Sequence, residues 1–241
     1  MTTLTGPTWL VWRQHRAWFR LWMACSLVLT CYLVYWHVRY HATFYELTTP
    51  GPNTTTGLPP DFGLTVAAVL LTVAPALTAV TFGAPLFERD YTSGTARLVC
   101  AQSMSDAAWV RAKLLVPAAM VTVCVTPCAA ALTWDYQVDY ALQQNSHGFG
   151  VFSAIGPAAV AFCLVGLFAG AASGLTWRHG AASKFLAVVL VLAFEAAIFK
   201  GMLLLPNSGL NVLQSVVTVG CIGACGLLAF YCLQLMRLRP W

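Results

Sequence analysis

Charged side chains are so scarce in this chain, 9% of residues against 59% hydrophobic, that the places where they gather are where recognition or chemistry has to be sought. Glu88, Arg89, Asp90 and Arg97 fall inside one short stretch, LFERDYTSGTARL. Carboxylates and guanidiniums interleaved in this way, without a cysteine or histidine among them, make an ionic and hydrogen-bonding surface. Glu195 is the second candidate. It stands eleven positions beyond Lys184, about 16 Å along a helix, so it belongs near the middle of an apolar segment. A carboxylate there faces a cavity, a partner or a substrate pathway, or else is a protonated or hydrogen-bonded structural group. Lys200, five residues on, is turned about 140° away and does not pair with it along one helix; it snorkels outward instead.

Other chemistry is thinly represented. The nine cysteines lie almost wholly in apolar runs. Cys124 and Cys128, like Cys221 and Cys225, have i,i+4 spacing, yet no CxxC pair or His/Cys cluster argues for metal, and small apolar packing is the plain reading. The histidines at 15, 37, 41, 147 and 179 have no evident acidic or nucleophilic partner. GxxxxGK[ST], HExxH and GxSxG are all missing, so the chain carries no phosphate loop, zinc-protease helix or nucleophile elbow. Asn53-Thr54-Thr55 is a formal glycosylation sequon of a kind common by chance.

The elements that must position these residues are membrane helices. A soluble chain of this size carries about a quarter charged residues. Six continuously apolar runs, each near the roughly 20 residues needed to cross a bilayer, extend over Trp18 to Trp36, Leu64 to Phe82, Leu114 to Trp134, Val151 to Leu175, Phe185 to Leu205 and Val212 to Leu235. They do not alternate as barrel strands do. The fold class is therefore an all-α integral membrane protein with six transmembrane helices. The first run lacks a small-residue cleavage pattern and reads as a retained helix. Arg13, Arg16, Arg20, Arg89, Arg97, Arg111, Lys113, Arg178, Lys184, Arg237 and Arg239 fall on one side, which the positive-inside rule makes cytoplasmic, with both termini there.

Smaller features refine this layout. Before the first span, Arg13, Arg16 and Arg20 share one helical stripe with Val11, Trp18 and Trp22 opposite. Residues 1–17 read as an interfacial helix, arginines toward phosphates and tryptophans in the acyl boundary; the alternative is an anchor continuous with span one. TTPGPNTTTGLPPD reads as an irregular outer loop, DYQVDYALQQNSHGFG as a longer polar one, and PNSG as a tight turn joining spans five and six. Gly166, Gly170 and Gly174 form a small-residue stripe that admits another helix closely, within the subunit or across a dimer. Pro75 and Pro117 are expected to kink spans two and three.

Residues 85–113 join spans two and three. A helical piece bearing Glu88 and Arg89 leads into Thr92-Ser93-Gly94-Thr95, where Gly94 makes a turn and Thr95 caps the next helix. Leu98, Val99, Met104, Trp109 and Val110 are candidate buried positions, and Ser105 suits the cap of the helix entering span three. This is more ordered sequence than a connection needs, and it reads as a surface for another protein.

ERDYTSGTARLVCAQSMSDAAWVRAKLL resembles the signature region of the permease subunits of type 2 ABC exporters: acidic residues beside Arg89, Gly94-Thr95, the serines 103 and 105, and Lys113 entering span three. WLVWRQHRAW is similar to that family's elbow helix, and six spans match as well. Met104 and Asp106 depart from it, standing where the family often has a proline and a basic residue, and the turn between spans five and six is minimal. The resemblance implies one transmembrane domain over 1–241, with an elbow (1–17), a cytoplasmic coupling region (85–113), and spans and loops (18–84, 114–241). It implies a plasma-membrane permease that forms the pathway of an ATP-driven exporter as a homodimer, two copies of a separate ATPase subunit holding ATP and magnesium, and no cofactor in this chain. Glu88, Arg89, Asp90, Tyr91, Gly94 and Thr95, with a lesser contribution from Arg178, would meet the ATPase. Spans two and five would line the pathway, making Glu195 a substrate contact for a lipophilic compound, peptide or lipid. Membrane lipids are expected partners and nucleic acid is not. The competing readings are an ATPase-independent immunity or binding protein and an intramembrane enzyme.

Overall fold

The structure, a computed structural model, describes residues 7–47, 62–92, 106–138, 153–177, 180–203 and 210–238. All their regular structure is helical: α1 (Pro7–Leu47), α2 (Phe62–Thr78), a π-helical turn (Ala79–Gly83), α3 (Pro85–Thr92), α4 (Asp106–Val138), α5 (Gly156–Thr176), α6 (Gly180–Leu203) and α7 (Leu210–Leu238). Six helical segments are long and apolar enough to cross a membrane, at Thr8–Arg39, Val66–Asp90, Ala108–Asp135, Gly156–Thr176, Ala181–Ile198 and Ser215–Leu235. With no water in the hydrocarbon, a spanning chain must satisfy its backbone within each helix, which these runs do. The protein is a multi-pass membrane protein.

The fold is organised around α5, whose residues are nearly all buried. It can sit centrally because its sequence, GPAAVAFCLVGLFAGAASGLT, is made largely of small residues. Gly166 lies so close to α2 that an added Cβ would fall 2.1 Å from the Pro75 oxygen; at Gly170 it would fall 2.4 Å from the Ala79 oxygen, and at Gly174 2.4 Å from the Ala84 oxygen. The three glycines thus face the Pro75–Ala84 segment of the same chain, and Gly83 returns the contact against the Leu167 oxygen. At the far end Gly156 enters α5 with φ 63°, a left-handed conformation open to glycine. Its N–H donates to the Thr133 hydroxyl at 2.7 Å.

The π-helical turn has a local cause. Pro85 has no N–H to give Thr81, four residues back, and its ring presses on that carbonyl. The turn widens, and the Ala84 N–H donates to the Ala79 oxygen, five residues back, at 2.7 Å. Thr78 then donates to both the Pro75 oxygen (2.8 Å) and the Cys163 oxygen of α5 (3.1 Å). Helix continues through Pro75 in α2 and through Pro117 and Pro127 in α4.

Both charged stretches are helical and continuous with the span beside them. From Pro7 the N-terminal segment runs without a break into span one, the alternative given above: α1 is one helix of 41 residues, about 60 Å long. Pro7 sits at its first position, where proline is tolerated, and no glycine or proline between Thr8 and Leu47 interrupts it. The segment after span two is helical, as its sequence led one to expect. Through the π turn, α3 prolongs span two and is buried at its root, with Leu86 1% and Phe87 0% exposed.

Candidate functional site

α3 presents its charged residues on two different faces. In a helix, residues three and four apart share a side, so Leu86, Phe87 and Asp90 turn inward while Arg89 is exposed and Glu88 is half-buried. Leu86 and Phe87 pack with Trp109, Val110 and Leu114 of α4, Ala171, Ala172 and Leu175 of α5, and Cys232 of α7. Trp109 and Val110, expected to be buried, are so. α4 starts at Asp106, directly after Ser105.

Asp90, expected among the partner-contact residues, is turned into the bundle. It is 4% exposed and forms an ion pair with Lys113 of α4, itself 1% exposed. Lys113 Nζ also donates to the Leu86 oxygen at 2.6 Å. It lies 4.5 Å from the Trp109 ring centroid and 5.3 Å from that of Phe87, distances at which the ring faces attract a cation. One ammonium is therefore held by a carboxylate, a carbonyl and two aromatic faces, which offsets its loss of water. The arrangement clamps α3 to the start of span three.

Around this clamp lie further polar groups. His15 of α1 is 2% exposed, 6.1 Å from the Phe82 ring centroid and within electrostatic reach of Lys113, Arg89 and Asp90. Its Nδ1 makes no hydrogen bond among the described residues. Ser183 of α6 is buried and donates to the Glu88 carboxylate at 3.5 Å, tying the start of α6 to α3. A recess of about 220 Å³ is lined here by Trp18, Val80, Thr81, Pro85, Glu88, Arg89 and Lys184. The structure thus brings Glu88, Arg89 and Trp18 together. Gly94, Thr95 and Arg178 lie outside the described residues, as does the side chain of Tyr91.

Elsewhere, Arg13, Arg16 and Arg20 are exposed along α1, opposite buried Val11, and Arg13 lies 5.4 Å from the Trp9 ring centroid. Trp18, placed with the apolar face, is 37% exposed. Glu195 is 8% exposed, on the side of α6 turned into the bundle, within electrostatic reach of Cys163 of α5. Cys124 and Cys128 face α1: Ser26 donates to the Cys124 oxygen at 2.5 Å, and Cys128 Sγ lies 3.4 Å from both Ser26 and Thr30 hydroxyls. Among the described residues, no group of three His, Cys, Asp or Glu is placed to hold a metal ion.

Sequence reasoning missed two pairings. It left His37 without an acidic partner, yet His37 Nδ1 of α1 meets Asp135 Oδ1 of α4 at the end of the bundle remote from α3, with its ring 4.0 Å from Trp134. It also noted Lys113 without its partner. The available signal was that Asp90 lies at the end of span two and Lys113 at the start of span three, and consecutive spans that pack antiparallel bring such ends side by side.

The chain matches no curated protein and no solved structure. A family model described as ABC-2 membrane transporter related matches residues 23–202, a region containing five of the six spans in whole or part together with the entire α3–α4 clamp. The chain belongs to the ABC-2 membrane transporter related family, and is a membrane transporter component.

Proposed function

We propose that this chain is the permease subunit of an ATP-driven exporter and that α3 is the lever through which a separate ATPase moves it. The observation that carries this reading is the buried Asp90–Lys113 pair. α3 is continuous with span two through the π turn, clamped to span three by Lys113, and packed by Phe87 and Leu86 against α5. A push on its exposed face, where Arg89 and Glu88 lie, is transmitted to three spans together instead of being absorbed by a loose loop. Family membership supports an ABC ATPase as the source of that push.

On this reading α3 faces the cytoplasm at the plasma membrane, and the ATPase, present in two copies, meets Glu88, Arg89 and the segment through Gly94 and Thr95, with Arg178 as a lesser contact. Asp90 positions the lever and does not touch the partner. Two copies of the chain enclose the pathway. Glu195 is the candidate contact for a hydrogen-bonding or cationic group on a substrate otherwise lipophilic, which suits a bundle with so little internal charge.

The test is gentle purification of the chain from its native membranes, identification of co-purifying proteins and measurement of ATP hydrolysis. A stoichiometric ATPase that stays bound to the wild-type chain and is lost with Gly94→Pro or with Glu88→Ala/Arg89→Ala bears the proposal out. A chain that inserts normally, carries no ATPase and supports no hydrolysis overturns it.

A further inference from the structure

The lateral face of the bundle carries a groove of about 420 Å³ between α1, α2 and α4, within the size range of small-molecule sites. Its floor is buried: Leu71, Ala74, Cys124, Val125 and Cys128 are each 6% exposed or less. Its rims are open, with Leu21 52%, Leu70 49% and Leu77 46% exposed. The groove therefore opens sideways to the bilayer. It runs along α1 from Leu21 to Leu29 and along α2 from Leu70 to Thr81, a length of about 12–16 Å. That is close to half of a hydrocarbon core of about 30 Å, the depth that one leaflet's acyl chain occupies.

The end of the groove is not apolar. Thr81 lines both it and the recess beside α3, where Arg89, Lys184, Glu88 and Trp18 converge. Arg89 and Lys184 against the single carboxylate of Glu88 give the recess a local excess of one positive charge. Trp18, partly exposed at this level, is the residue type that settles at the boundary between acyl chains and headgroups. A slot one leaflet deep with a cationic mouth has the chemistry of an anionic phospholipid seat. We infer that an anionic phospholipid from the leaflet on the α3 side binds here, one acyl chain lying in the groove between α1 and α2 and its phosphate against Lys184 and Arg89. This inference does not rest on the transport reading. A second copy of the chain is the competing occupant, but a seat for a helix would need neither the one-leaflet depth nor the cationic end.

The experiment uses the full chain, in its native assembly, reconstituted in vesicles of phosphatidylcholine with a minor fraction of phosphatidylglycerol, one or the other lipid carrying a diazirine in mid-chain. Labelled peptides are mapped after irradiation. Residues 21–29 and 70–77 should be labelled more by the phosphatidylglycerol probe than by the phosphatidylcholine probe, while the exposed faces of α6 and α7 around Leu192 and Leu227 should not discriminate. Lys184→Gln should reduce that preference about fivefold, equivalent to about 1 kcal/mol. Cys25→Trp, at an exposed rim position, should block groove labelling and leave α6 and α7 labelling intact, and Cys25→Ala should behave as wild type. Equal labelling of all faces, a preference indifferent to Lys184→Gln, or a groove silent to both probes because a second copy covers it would each overturn the inference.

Discussion

Removing the Asp90 carboxylate tests the clamp most directly, because it leaves the Lys113 ammonium 1% exposed with no counter-charge. Breaking one side of a buried ion pair costs about 3–5 kcal/mol, most of it the penalty of the stranded charge. Here the Leu86 carbonyl at 2.6 Å and the Trp109 ring at 4.5 Å remain, so Asp90→Ala should fall at the lower end, about 3 kcal/mol. Replacing both partners, Asp90→Ala with Lys113→Met, removes the charge while keeping an apolar stem of similar length in the same space. The double variant should return to within about 1 kcal/mol of wild type. The measurement is equilibrium unfolding in mixed micelles of increasing SDS fraction, monitored by tryptophan fluorescence, on wild type, both single variants and the double. The two single costs should sum to well above the cost of the double. Additive costs, or an Asp90→Ala chain as stable as wild type, would refute the clamp, and with it the argument that α3 moves as one body with span three. A second readout separates lever from scaffold: the double variant should fold normally yet couple ATP hydrolysis less tightly than wild type.

The packing carries further expectations. Gly170→Ala puts a Cβ 2.4 Å from the Ala79 oxygen and 2.9 Å from Gly83 Cα, backbone atoms that cannot swing aside; overpacking of this kind costs about 1–3 kcal/mol and should lower the thermal midpoint, whereas Gly223→Ala, with nothing within 4 Å, should not. His37→Ala and Asp135→Ala should be non-additive, with a coupling of about 0.5–3 kcal/mol in the same unfolding assay; strictly additive costs would mean that the pair does not hold α1 to α4. Glu195→Gln should leave insertion and ATPase assembly unchanged and lower substrate-stimulated ATP hydrolysis in the purified complex; unaltered stimulation would make Glu195 a structural carboxyl. If the N-terminal helix is one rod, a spin-label pair at Arg16 and Ala24 should report a single narrow distance of about 12 Å, while a broad or bimodal distribution would restore a hinge between elbow and span.

Much of this protein was legible in its sequence because the bilayer makes length and hydropathy nearly sufficient: about 20 apolar residues must become a helix whatever surrounds them. Hence the six spans, the all-helical class, the small-residue face of Gly166, Gly170 and Gly174, and the buried Trp109 and Val110 could be read residue by residue. What the linear pattern does not carry is which face meets which neighbour. The glycine stripe was compatible with a dimer contact until the Pro75–Ala84 segment of the same chain was found seated on it. Asp90 stood in line with Glu88 and Arg89 as one more exposed charge, and only helical register against α4 and α5 turned it inward to Lys113. His37 and Asp135 lie 98 positions apart, too far for spacing to join them. Continuity of α1 past Trp18, and of span two into α3, was decided by the same kind of fact. A helix ends where its neighbours or its own backbone stop supporting it, and at Ala79–Gly83 the chain widened a turn to accommodate Pro85 and kept going.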